Sequence, residues 1–92
     1  MTVYVDNNKA KFKRMIMCHM AADTREELFA MVDAIGVQRK WIQCKDTYKE
    51  HFDISSGKRD LAVSFGAVEV SRKDLARWMQ RRKTLREKVR HG

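Results

Sequence analysis

Nine lysines and arginines crowd into residues 72–90 against only Asp74 and Glu87, and a stretch so charged cannot supply the core of a small protein. The first 71 residues carry eleven basic and ten acidic side chains, so nearly all of the formal net charge of +8 belongs to the C-terminal segment. The chain therefore divides into a nearly neutral body, 1–71, and a basic amphipathic helix, 72–92, within one structural domain of 92 residues. A surplus of this kind attracts a polyanion, and nucleic acid is the first to consider.

The body reads as alternating strands and helices. Val3 and Val5 alternate with polar neighbours in a short strand ending at Asp6, and 7–13 is polar and turn-like. Met15 to Ala21 is an almost unbroken apolar run, as in a buried strand. Thr24 with Glu27 has capping-box spacing, Leu28, Met31, Val32 and Ile35 share one helical face, and Gly36 suits a left-handed stop. Residues 37–50 carry the weakest pattern, with Trp41 and Ile42 in a strand or plugging the core. His51 to Ile54 suits a short strand, Ser55 or Ser56 a helix start, Gly66 its end, and Ala67 to Val70 another strand. This order implies a parallel, right-handed crossover. The expected fold is a small α/β sandwich with a short, mostly parallel sheet flanked by helices.

Ser71 caps the basic helix. At 100° per residue Leu75, Trp78, Met79, Leu85 and Val89 form an apolar stripe, while Lys73, Arg77, Arg81 and Lys88 gather opposite. Arg82 falls inside the stripe, which implies that the later turns lift away from the body. Repulsion among like charges at i, i+4 is relieved when a phosphate backbone neutralises them. Lys58 and Arg59 stand in the first turn of the helix after Ser55-Ser56-Gly57, where main-chain N–H groups and two cations would suit a phosphate. No apolar run nears the roughly 20 residues of a membrane span, and Asp6, Lys9, Lys11 and Lys13 interrupt any signal-like segment. Cys18 and Cys44 make no disulfide framework and suit a reducing cytosol, so a cytoplasmic location is expected.

A second signal lies in the body. Asp6 closes the first strand, His19 and Asp23 flank the end of the second, and His51 and Asp53 share one face of the third. In parallel sheets ligands collect beyond the carboxyl ends of strands, where Asp6, His19, Asp23 and Asp53 could converge with His51 one pleat behind. Carboxylates with imidazoles suit a divalent metal, which could activate water against a phosphodiester. Against this, no fixed-spacing motif is present, and Asp23 or Asp53 could equally cap a helix.

Val3-Tyr4-Val5-Asp6, Met17-Cys18-His19-Met20-Ala21-Ala22-Asp23, Glu27-Leu28-Phe29-Ala30, Ile35-Gly36-Val37, His51-Phe52-Asp53-Ile54, Lys58-Arg59 and Gly66-Ala67-Val68 follow one another at consistent spacing. Together they resemble a small family catalogued as domain of unknown function number 4031, over about residues 3 to 70. The family pattern has Tyr where this chain has Phe52, and the cationic helix falls largely outside the resemblance. Members are bacterial and phage proteins, so such an origin is implied; no activity comes with the name. The resemblance implies that His19, Asp23, His51, Asp53 and Lys58/Arg59 act as one site.

The function expected is that of a non-enzymatic binding protein without a cofactor, holding nucleic acid or another phosphate-rich anion through Lys73, Arg77, Arg81 and Lys88, with Lys58 and Arg59. The alternatives are a metal-dependent phosphoesterase or nuclease, with His19 or His51 as ligand or general base, and a phage protein that inhibits an acidic host protein.

Overall fold

The computed structural model describes residues 2–7, 10–12 and 15–91, without the side chains of 10–15 and 85–91. Strands β1 (Val3–Val5), β2 (Ala10–Phe12) and β3 (Met15–Ala22) come first, followed by helix α1 (Arg25–Ala34) and a short 3-10 turn, Arg39–Trp41. Then come β4 (Phe52–Ser55), α2 (Ser56–Ser64), β5 (Val68–Glu69) and α3 (Arg72–His91).

Each helix begins where a short hydroxyl side chain relieves unpaired N–H groups. Thr24 Oγ1 accepts from Glu27 N at 3.2 Å, Ser55 Oγ from Lys58 N at 3.2 Å, and Ser71 Oγ from Asp74 N at 3.0 Å. Both α1 and α2 end in Schellman turns. Val37 N donates to Val32 O with Gly36 at φ +77°, and Ala67 N donates to Ala62 O with Gly66 at φ +107°. Any other residue would be strained at these two positions.

The sheet is mixed and mostly antiparallel, which corrects the expectation of a mostly parallel one. β3 pairs antiparallel with β1, β2 and β4; the parallel pair is β1–β5. Met17 pairs with both Ala10 and Ser55, and Met20 with both Val5 and Phe52. β1 and β2 therefore share one edge of β3 while β4 takes the other, giving four columns in the order β4, β3, β1/β2, β5. The 7–13 stretch, expected to be a turn, thus contributes β2. β4 and β5 run in the same direction, as the crossover pattern requires, but two columns separate them. Element order alone cannot reveal such an insertion.

Alternation sorts the side chains by face. Val3, Val5, Cys18, Met20, Ala22, Phe52 and Ile54 join Leu28, Val32 and Ile35 of α1 and Ala62 of α2 in the core. Tyr4, His19 and Asp53 point to the other face, over which α3 lies. Trp78 packs on Tyr4 with the rings tilted and their centroids 5.0 Å apart, and Leu75 is buried. Trp78 and Met79, in the same apolar stripe, are only partly buried. Arg82 does not mark a departure from the body: its guanidinium lies 5.4 Å from the Trp78 ring and donates to Ala22 O at 3.4 Å. Leu85 and Val89 lie outside the described side chains. Trp41 neither plugs the core nor joins a strand; it is 59% exposed at the end of the 3-10 turn.

Candidate functional site

β1 ends at Asp6, and the side chain of that residue continues the ladder where the backbone turns away. Asp6 N donates to His19 O at 3.0 Å, and Asp6 Oδ1 accepts from His19 N at 2.8 Å. The other carboxylate oxygen, Oδ2, meets His19 Nδ1 at 2.8 Å. Asp6 is fully buried, and its main-chain oxygen accepts from Arg59 Nε at 2.7 Å. Across the sheet the β3–β4 register sets His19 opposite Asp53. His51, one pleat from Asp53, is anchored by its bridge to Gln43.

The two imidazoles and one carboxylate thereby converge. Asp53 Oδ1 lies 3.2 Å from His51 Nε2 and 3.6 Å from His19 Nε2. The two rings stand edge-on with centroids 5.2 Å apart. His51 Nδ1 is 2.6 Å from Lys49 O, and since a main-chain carbonyl can only accept, this nitrogen carries the hydrogen. Hydrogen bonding to Asp6 is the main reason that the His19 imidazole is pushed above its ordinary 6.5. Burial opposes that rise, the charges of Asp6 and Asp53 add to it, and Arg72 works against it. The group opens into a cleft of about 300 Å³ lined by Asp6, His19, Lys49, His51, Arg72 and the apolar side of α3.

A loop outside the cluster sets Lys49 and His51 in place. Glu50 is buried and takes the Arg25 guanidinium on both oxygens, with Nε to Oε1 at 3.2 Å, as well as Asp46 N at 3.0 Å. Arg25 also pairs with Asp46. Burial alone would raise the Glu50 carboxyl, but the hydrogen bonds from Arg25 and Asp46 N, with the charges of Arg25 and Arg82, hold it below 4.5. Residues 44 and 46 adopt positive φ in this turn. Arg25, Glu50 and Lys49 carry no sequence signal for this role, because their partners are set by a loop without periodicity, and Arg72 reaches the cleft only through the docking of α3.

Four of the five residues expected to hold a metal are thus brought together: Asp6, His19, His51 and Asp53. Asp23 is not among them. β1 and β3 are antiparallel, so the end of β3 lies beside the start of β1. There Asp23 accepts from Thr2 N at 2.9 Å and Tyr4 Oη at 3.1 Å. Four residues along an extended strand place it roughly 13 Å from His19.

Lys58 and Arg59, neighbours in the first turn of α2, point in different directions and have different surroundings. Lys58 lies against the end of α1, its Nζ 3.3 Å from where a β-carbon on Gly36 would stand. Arg59 is engaged with Asp6 O and, at 3.1 Å, with Glu69. Lys73, Arg77 and Arg81 are exposed on α3, where with Ala76 and Gln80 they line a shallow groove. Ala76 borders both this groove and the His/Asp cleft. The Lys88 side chain lies outside the described residues. Among the described residues, no helix is long and apolar enough to cross a membrane.

No curated protein and no solved structure gives a significant match to the chain. A family profile does match, and it runs past Val70 to residue 82, so that it includes the first half of α3. The chain belongs to the family described as protein of unknown function (DUF4031), matched over residues 3–82.

Proposed function

We propose that this protein is a small binding module that holds nucleic acid, or another phosphate-rich polymer, along the outer face of α3. One observation carries the reading: Lys73, Arg77 and Arg81 project to solvent in a single row while the opposite side of the helix is docked on the sheet. Successive members of the row rise by about 6 Å along the axis. Among the described residues, the acidic partner of this row is Asp74, which reaches only to 4.0 Å from Arg77. An exposed pairing of that length contributes little, so the row keeps its charge for a partner. The docked side holds the row in position and lowers the entropy lost on binding. Contacts of this kind go to phosphates and confer no base preference.

The test is fluorescence anisotropy with short labelled duplex DNA and RNA at low salt. Lys73→Ala/Arg77→Ala/Arg81→Ala should lose most of the affinity with its circular dichroism spectrum unchanged. Absence of binding by the wild type would overturn the reading and favour an acidic protein surface as the partner.

A further inference from the structure

The acceptor atoms around Asp53 pose a problem that the basic helix does not answer. Nδ1 of His19 faces the Asp6 carboxylate, and Nδ1 of His51 faces a main-chain carbonyl. Both hydrogens of the neutral rings are thereby committed to Nδ1, which leaves a lone pair on each Nε2. Those two lone pairs converge on the Asp53 carboxylate, itself an acceptor. Among the described residues, the two imidazoles are the groups that meet this carboxylate. Three acceptors facing one another repel unless a positive charge stands between them: an added proton, or a metal ion.

We propose that His19 Nε2, His51 Nε2 and the Asp53 carboxylate form a binding site for one divalent transition-metal ion of the Zn²⁺ class. One ligand atom from each residue lies within 4.8 Å of the others. A tetrahedral ion bonded at about 2.1 Å requires ligand atoms about 3.4 Å apart, and the two Asp53–imidazole separations, 3.2 and 3.6 Å, bracket that value. Binding requires the third separation, between the two imidazoles, to settle near the same value. Two imidazoles with one carboxylate favour Zn²⁺, Co²⁺ or Ni²⁺ over Mg²⁺, which prefers oxygen ligands and retains its water. Asp6 and Lys49 O are the outer partners that fix each tautomer, the usual arrangement behind a metal-bound histidine. The fourth position opens into the cleft beside Lys49 and Arg72 and suits water or an anionic oxygen. Asp6 is a positioning residue and Asp23 takes no part. This inference stands apart from the proposed nucleic-acid binding, since none of its ligands lies on α3.

Calorimetric titration of the full chain with ZnCl₂ should give one site, and MgCl₂ none at millimolar concentration. Co²⁺ should give visible bands of a four-coordinate complex. His51→Ala/Asp53→Ala should abolish the site, whereas Cys44→Ser and His91→Ala, which remove other candidate ligands, should leave it intact. Asp6→Asn should weaken zinc by about 10- to 100-fold. Should the double variant misfold, imidazole ¹⁵N spectra of the wild type decide: zinc should move Nε2 of His19 and His51, with Nδ1 remaining protonated. No zinc binding, binding that survives the double variant in folded form, or shifts confined to His91 would each overturn the proposal and leave a proton as the bridging charge.

Discussion

The residue on which the site turns is Asp6, buried where a strand ends and bonded to both the main chain and the ring of His19. A pH dependence follows for the metal-free protein. The folded His19 lies above 6.5, so its stabilisation is fully present below that pH and is lost as pH rises through the folded value. The groups facing the imidazole are Asp6, Asp53, Arg72, His51 and Lys49. Glu50 acts in the opposite sense: its folded carboxyl lies below 4.5, and its stabilisation is lost as pH falls through that lower value. Thermal unfolding in EDTA should therefore show greatest stability between about pH 4.5 and 6.5, with a decline above. Asp6→Asn should flatten the alkaline decline; an equal decline in wild type and variant would contradict the assignment. The pairing of His51 with Asp53 was legible in the sequence from period two. Convergence of His19 and Asp6 was expected for the wrong reason, because it arises from antiparallel register and not from aligned carboxyl ends. The same register, invisible from spacing, sends Asp23 to Thr2 and Tyr4.

Among the elements, α3 depends on a modest contact. Leu75 is buried, Trp78 is partly buried on Tyr4, and Arg82 covers the Trp78 ring from the next turn. Trp78→Ala should cost about 2 kcal/mol in chemical denaturation, below the 3–5 typical of a fully buried Trp. It should also loosen the row of cations, weakening nucleic-acid binding without removing any charge. An unchanged denaturation midpoint would mean that α3 is held elsewhere. Helix limits were readable because their signals are local: Thr24, Ser55 and Ser71 at starts, Gly36 and Gly66 at stops. Strand pairing was not. β2 is only three residues long within a polar, lysine-containing segment, and its ladder partner is the only reason that it is a strand. Arg82 itself meets the body, because a guanidinium with an apolar stem can cover a ring while its charge finds a carbonyl.

At the scale of the whole molecule, charge is segregated onto one helix, and that helix borders a cleft lined by His19 and His51, the two imidazoles that meet Asp53. The segregation was plain in the sequence; the shared border at Ala76 requires the fold. Binding through phosphates releases counterions, so affinity must fall with salt in proportion to the contacts made. The decisive measurement is the slope of log K against log salt for duplex DNA, in the wild type and in Lys73→Ala/Arg77→Ala/Arg81→Ala. Three contacts predict that the variant's slope is shallower by about 3. Equal slopes for the two folded proteins would show that the row of cations on α3 does not meet the phosphates, and would contradict the account.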